Sequence, residues 1–390
     1  ISLECGYPMD RIVSLGSPST GREGSKPLPL AELLSLPPED AEATLGEYLS
    51  GRGQPSYRVG QVLSWVYERD ALSFDEMTNL PAAERTALIE AFGSLAPRQA
   101  SQERSVDGTI KHLWEMEDGE LVESVLIPAS DGRMTLCISS QAGCAMACTF
   151  CATGWSGYRR QLRAGEIIAQ FRGSRRFLRE AGLGEISNIV FMGMGEPFMN
   201  RPAVMRALSL LNGPYGVGAR RITVSTVGIV PGILELAERP EQFRLAISLH
   251  APNTELRRQL VPIERKYPLP ELLAAIHQFE AAGGRRVTFE YIMIDGMNDT
   301  PELAVELAEV AGRFQSHLNL IPYNPIPGNP WRPTPVERIR EFAGILESRG
   351  LPVTVRTPRG RDIAAACGQL AAEHQLRPPK PFLELQARRT

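Results

Sequence analysis

Beyond residue 133 the chain repeats one pattern: a short apolar run, an amphipathic stretch of helical period, then another apolar run. The runs are RMTLCIS (133–139), ISNIVFMG (186–193), RRITVST (220–226), RLAISLH (244–250), RRVTFEYIMI (285–294) and HLNLIPY (317–323), with a shorter PVTVRT at 352–357. AVMRALSLLN, LPELLAAIHQFEAAG and PVERIREFAGILESRG lie between them, with apolar residues at helical spacing. Such alternation implies parallel strands joined by right-handed crossovers. Six units in roughly 220 residues suit about 30 or more residues per unit, whereas a closed eight-stranded barrel usually takes about 250. The pattern predicts an α/β fold, an open partial (β/α)6 barrel.

The N-terminal third reads differently. Residues 1–27 are rich in Gly, Ser and Pro without periodicity, which predicts disorder. YRVGQVLSWVYER and PAAERTALIEAFGSL predict a small helical accessory domain over 28–100. Residues 105–128 alternate apolar and polar around an Asp-Gly turn, so 101–132 reads as a β-hairpin linking that domain to a core at 133–370. Residues 371–390 remain as a C-terminal tail. No apolar run reaches eighteen residues, and the first residues lack the charged start and apolar core of a secretory signal. The net charge of −3 means that any nucleic-acid surface must be a local patch.

Six cysteines occur, and three fall within CAMACTFC: Cys144, Cys148 and Cys151. A large chain without a secretory signal, expected in the cytoplasm, uses clustered thiols for metal or chemistry rather than for a disulfide scaffold. Three cysteines in a short CxxxCxxC run suit an iron–sulfur cluster with one iron left open. A structural zinc ion is the alternative, but it wants four ligands, and no histidine lies within thirty residues.

In parallel α/β sheets the active site lies at the carboxyl ends of the strands. The cysteines follow the first strand there, GMGEP (193–197) the second, Ser225 ends the third, Ser248–His250 the fourth, and Asn324 follows the last. GMGEP lacks the third glycine of a dinucleotide fingerprint, so alone it reads equally as a tight turn. Ser225, Ser248 and Asn324 taken singly read as structural, and His250 as a core or capping residue. Cys137 and Cys367, taken singly, read as small hydrophobes. The run 158–179 holds seven Arg against one Glu, which reads as a solvated helix face or as a phosphate-binding surface.

With these residues in view the chain resembles the RlmN family of radical S-adenosylmethionine RNA methyltransferases. The likeness rests on TLCISSQAGCAMACTFCATG, GMGEP, RRITVSTVGIVPGI, LAISLHAPN, LVPI, VTFEYIMIDGMND, NLIPYNPIPG and AACGQL, and SYRVGQVLSWVYER with SFDEMTNLP extends it back to about residue 54. One departure is Arg160-Gln161-Leu162, where the family usually reads Arg-Asn-Leu. The resemblance implies a [4Fe-4S] cluster on Cys144, Cys148 and Cys151, with S-adenosylmethionine chelating the open iron. It implies that Glu196 binds the ammonium group of that molecule, and that Gly195, Ser225, Ser248, Leu249, His250 and Asn324 hold the rest.

The mechanism it implies has Cys367 methylated by one S-adenosylmethionine, then activated by the 5′-deoxyadenosyl radical from a second, and joined to adenine. Glu123 would accept the ring proton, and Cys137 would release the product by forming a disulfide bond with Cys367. The implied substrates are an adenosine in 23S rRNA near the peptidyl-transferase centre and the adenosine beside the anticodon in tRNA, both at carbon 2. Flavodoxin with its reductase is the implied electron donor, the helical domain the implied RNA-binding element, and a monomer without membrane attachment the expected form. A Cfr-like enzyme acting at carbon 8 is the near alternative; a zinc-holding, non-catalytic RNA-binding protein is the distant one.

Overall fold

The computed structural model describes residues 32–283, 286–372 and 374–387. The extension at 1–27, with Cys5, lies outside the described residues.

Ten strands form one continuous sheet. In chain order the strands are β1 (Arg98–Arg104), β2 (Ile110–Glu115), β3 (Leu121–Pro128), β4 (Met134–Cys137), β5 (Gln141–Gly143), β6 (Tyr158–Gln161), β7 (Ile186–Phe191), β8 (Ile222–Thr226), β9 (Arg244–Ser248), β10 (Val287–Met293), β11 (Ser316–Pro322) and β12 (Val353–Val355). The sheet order is β1-β2-β3-β4-β7-β8-β9-β10-β11-β12, and β5 and β6 form a separate ribbon. All neighbours from β4 to β12 pair in parallel. The six expected strands and the short seventh are therefore the partial barrel.

Alternation along each strand separates a helix face from a lumen face. Phe289 and Tyr291 on β10 meet Phe314 and Phe342 of the helical layer, with ring centroids 5.8 and 5.4 Å apart. Burying side chains of this size contributes about 1.5–3 kcal/mol each.

The hairpin expected at 101–132 is more than a linker. β1, β2 and β3 form an antiparallel meander, and β3 pairs antiparallel with β4, so the meander extends the barrel sheet itself. β3 is buried along most of its length. Its polar residues are satisfied in place: Trp114 Nε1 donates to Ser124 Oγ at 2.8 Å.

Helices α1 (Pro38–Gly51), α2 (Tyr57–Tyr67) and α3 (Ala82–Phe92) share an apolar core that includes Leu45, Leu49, Val62, Val66, Phe74 and Leu88. This core meets the barrel through α5 (Ala164–Ala181), which follows the short α4 (Ala152–Ser156). Here the arginine-rich run acquires its role. Arg172 is fully buried and donates to the carbonyls of Val66, Ala71 and Leu95. Arg175 and Arg179 pair with the buried Asp70, and Arg176 with Glu76. Arg160 pairs with Asp118 and Glu166, and Arg163 with Glu117. Six of the seven arginines are thus paired within the protein while Arg159 stays exposed, and the four on α5 interlock the helical region with the barrel.

The C-terminal stretch is ordered where described. Lys380–Ala387 forms a helix whose Phe382 packs on Trp155, with centroids 4.7 Å apart.

Candidate active site

The cysteine loop leaves β4, forms the β5–β6 ribbon and enters α4. Gly143 has φ +72°, and a Cβ there would lie 1.9 Å from the Gly157 carbonyl oxygen, so only glycine fits. Thr149 N donates to the Leu260 carbonyl at 3.1 Å, and Asn329 Nδ2 to the Thr149 carbonyl at 3.1 Å. Gln161, the departure from the family pattern, accepts from Gln141 Nε2 at 2.8 Å and donates to the Met199 carbonyl at 2.9 Å. That residue therefore braces the ribbon against the GMGEP turn.

Burial pushes the Cys144 and Cys148 thiols well above their ordinary range, and the neighbouring Cys151 thiol and Glu196 carboxylate add to it. Arg257 is the cation that acts in the other direction on Cys148. Buried thiols so placed are poor as isolated thiolates, and they suit a cationic centre that compensates their charge. Three cysteine donors suit a cluster with one iron left open, whereas a structural zinc ion would want a fourth protein ligand.

The GMGEP turn approaches the loop closely. Gly195 has φ +99°, and a Cβ would meet the Gln141 side chain at 2.5 Å. Glu196 N donates to Gln141 Oε1 at 2.7 Å, and the Glu196 carboxylate accepts from Phe198 N at 3.1 Å and Val227 N at 2.9 Å. Burial nevertheless pushes this carboxyl up to about 7. An arriving ammonium group would restore its charge.

Ser225 and Ser248 meet on the lumen face with their Oγ atoms 3.4 Å apart. His250 adopts φ +59° and accepts from Ile292 N through Nδ1 at 3.1 Å. Burial first, and then Arg257, hold its imidazole down at about 3. It is therefore neutral, with its proton on Nε2 and only a donor to offer. The Leu249 side chain is fully buried in the core and its N–H donates to the Glu290 carbonyl at 3.1 Å, so its carbonyl is what it can offer a ligand.

Asn324 is engaged through both ends of its amide. Its Nδ2 donates to the Cys367 carbonyl at 3.0 Å, and its Oδ1 accepts from Arg361 Nε at 2.8 Å. In this state it holds the Cys367 turn. The same turn docks on the cysteine loop: Ala152 N donates to the Gly368 carbonyl at 2.7 Å, and Thr153 Oγ1 to the Leu370 carbonyl at 2.7 Å.

Cys137 ends β4 in an apolar cluster with Met194, Ala365, Leu370 and Ala372. Burial pushes its thiol up to about 12, and Cys367 adds to this. Cys367 is exposed as a residue; desolvation of its thiol by the surrounding protein, then Glu290 and Cys151, push that thiol above its ordinary range. Both thiols are free. The expected disulfide bond is thus absent among the described cysteines, where Cys137 is buried and protonated rather than positioned as a thiolate.

Glu123 is buried on β3 with both oxygens engaged. Oε1 lies 3.2 Å from Lys111 Nζ, and Oε2 accepts from Ala371 N and Ala372 N at 2.9 Å each. Lys111 also donates to the Ile363 carbonyl at 2.7 Å, Ser105 Oγ to Asp362 at 2.5 Å, and Gly360 N to Asp107 at 2.9 Å. The meander therefore frames the Cys367 segment on both flanks. Sequence reading had no access to Lys111, Asp362 or Thr153, whose partners lie hundreds of residues away. For Glu290 a signal existed: one acid inside an otherwise apolar strand.

Comparison with known proteins agrees with this site. Residues 138–308 match the radical SAM superfamily, and residues 39–92 match the ribosomal RNA large subunit methyltransferase N-terminal domain. A probable dual-specificity RNA methyltransferase RlmN from Gemmatimonas aurantiaca is 50% identical, over 88% of this chain and 94% of its own length. The dual-specificity RNA methyltransferase RlmN of an Anaeromyxobacter species is 45% identical, over 91% of this chain and 94% of its own. A crystal structure of a radical SAM methyltransferase from Sphaerobacter thermophilus superimposes with a TM-score of 0.83 at 47% identity, covering 88% of this chain and 100% of that one. These relatives carry the RlmN name, not that of the Cfr-like alternative. The cysteine loop, the GMGEP turn and the helical N-terminal region thus belong to one family, and the chain is a member of the RlmN family of radical SAM methyltransferases, whose cofactors are a [4Fe-4S] cluster and S-adenosylmethionine.

Proposed function

We propose that this enzyme methylates carbon 2 of adenosine, in 23S rRNA near the peptidyl-transferase centre and in tRNA beside the anticodon, with Cys367 as methyl carrier. The docking of the Cys367 turn onto the cysteine loop, through Ala152 and Thr153, carries this reading. The bound cluster and S-adenosylmethionine supply the methyl group and the one-electron chemistry that an electron-poor ring carbon requires.

The chain's residues do the rest. Cys144, Cys148 and Cys151 would hold the cluster, with a position left for S-adenosylmethionine. Glu196 takes the ammonium group, Gly195 permits close approach, and Ser225, Ser248, the Leu249 backbone and the His250 Nε2–H orient the remainder. Asn324 joins them once it parts from the Cys367 carbonyl. Cys367 carries the methyl carbon and becomes linked through it to the adenine. Glu123 takes the ring proton after the Ala371 and Ala372 amides leave its carboxylate. Cys137 then attacks the linked sulfur, which frees the RNA and leaves a Cys137–Cys367 disulfide for reduction.

In this reading the helical region of 28–100 is the RNA-binding accessory element, joined by 101–132 to a catalytic core at 133–370 with its C-terminal segment at 371–390. The enzyme acts as a cytoplasmic monomer, with electrons from flavodoxin and its reductase. No described helix is long and apolar enough to cross a membrane. Peptide mass spectrometry of anaerobically prepared protein tests the carrier role: one methyl group on Cys367, absent in Cys144→Ala, is expected. Digestion of the RNA product then reports the carbon methylated. An unmodified Cys367 beside an intact cluster would remove the mechanism.

A further inference from the structure

The residues assigned so far leave one buried ionisable group in the lumen without a task. Glu290 is the sole acidic residue in strands β8 to β11. Phe289 and Tyr291 on either side of it face the helical layer, so the strand turns Glu290 inward. Register places it between Ser248 on β9 and Asn319 on β11. It therefore extends the polar row that begins with Ser225 and Ser248.

Its partners compensate it incompletely. Glu290 is 4% exposed; Oε1 accepts from Asn319 Nδ2 at 2.8 Å and faces Arg356 Nη2 at 3.5 Å. Both of these contacts fall on Oε1. A buried carboxylate held this loosely is costly to the fold, and such groups concentrate at functional sites. Burial raises its carboxyl above the usual range, while Arg356 and Asn319 pull the other way.

The Cys367 turn lies over this row. Asn324, five residues beyond Asn319, holds the Cys367 carbonyl at 3.0 Å. After burial itself, Glu290 is the strongest influence raising the Cys367 thiol, and Arg356 acts on Glu290, Cys367 and Cys137 alike. Asn319, Ser248, Arg356 and Cys367 are the polar and titratable groups facing the carboxylate. Sulfur accepts a methyl group as thiolate, and even an ordinary thiol, with a pKa of about 8.5, is mostly protonated near neutral pH.

We propose that Glu290 is the general base that takes the Cys367 thiol proton as that sulfur accepts its methyl group, an inference that rests on Cys367 being the methyl carrier. The S–H bond breaks and its proton passes to Oε2. The sulfur electron pair forms the new S–CH3 bond, and the donor's carbon–sulfonium bond breaks, its electron pair leaving with the neutral thioether. Nothing is oxidised or reduced.

The test uses cluster-loaded protein and two readouts on the Cys367 peptide by mass spectrometry: methylation, and alkylation by iodoacetamide without S-adenosylmethionine. In Glu290→Gln, methylation near pH 7 is expected to fall ~10²-fold and alkylation ~10-fold, within the usual reach of general-base catalysis. Both should recover at high pH, where the thiol ionises unaided, and Glu290→Asp should fall between. A carboxylate acting only as a charge predicts the opposite, because removing an anion beside a thiol favours its thiolate and speeds alkylation. Faster or unchanged alkylation in Glu290→Gln would therefore overturn the proposal. So would loss of cluster iron or of S-adenosylmethionine affinity, which would make Glu290 a packing or binding residue. An unmethylated Cys367 in the wild type would sink the carrier reading, and with it this proposal. The alkylation readout, which needs no methyl transfer, tells that failure apart.

Discussion

The described cysteines form two sets on one rim, and the sets are built in opposite ways. Cys144, Cys148 and Cys151 sit on one loop, within eight residues, shaped by local devices, the Gly143 turn and the β5–β6 ribbon. Cys137 and Cys367 are 230 residues apart in sequence (367 − 137) and meet only because the β1–β3 meander and Asn324 hold the Cys367 turn over the lumen. Ligands of a cofactor profit from rigidity. A residue that must carry a group from one reactant to another needs a segment that can let go, and hydrogen bonds to backbone carbonyls and amides provide one.

Breaking the trio should have the largest effect. Cys144→Ala, Cys148→Ala or Cys151→Ala is expected to lose cluster iron and reduce activity to background, read by iron and sulfide analysis with RNA methylation. Iron retained at full stoichiometry would refute the ligand assignment. Breaking the pair should look different. Cys137→Ala is expected to keep its iron, accept methyl on Cys367 and stall as a covalent protein–RNA adduct on a denaturing gel. A variant that runs free of RNA under active conditions excludes the resolving role.

The frame around the pair offers a smaller perturbation. Lys111→Met removes the donor shared by Glu123, Glu103 and the Ile363 carbonyl. Leaving the buried Glu123 oxygen unpaired costs about 1–3 kcal/mol. Iron content should stay unchanged, while Cys367 methylation and adduct release slow by about tenfold, the rate equivalent of about 1.4 kcal/mol. Equal loss of iron would show that the meander supports the trio as well, and would dissolve the contrast.

The same contrast explains what the sequence disclosed. The cysteine trio, the GMGEP turn and the strand–helix rhythm are local patterns, and each lies where its spacing implied. The site members that depend on long-range contact were legible by resemblance alone: nothing near Cys367 or Glu123 announces that they meet. The arginine run was misread for the same reason. The four arginines on α5 look exposed until Asp70, Glu76 and the carbonyls of the helical region are placed against them. Arg172→Met should accordingly destabilise the fold by about 1–3 kcal/mol for each buried carbonyl, of Val66, Ala71 and Leu95, that loses its donor. The salt dependence of RNA binding, measured on the folded fraction, should stay as it was. A flattened salt slope would return that arginine to the RNA surface.

The subtlest prediction concerns Glu196, whose carboxyl burial pushes from an ordinary 4.5 up to about 7. The folded protein prefers the neutral form more strongly than the unfolded chain does. Its contribution to stability is therefore complete below about pH 4.5 and is lost as pH rises through about 7. In cluster-free protein, urea unfolding across that window should show stability declining with pH on this account. The decline should reach roughly 3–3.5 kcal/mol, because each tenfold change in a group's acidity on folding is worth about 1.4 kcal/mol. Glu196→Gln, which is neutral throughout, should remove that decline. S-adenosylmethionine should bind with the opposite trend, more tightly as pH rises through 7, because its ammonium group needs the charged carboxylate. If Glu196→Gln leaves both slopes intact, the carboxylate faces no ammonium group, and the trio's nearest acid serves only the GMGEP turn.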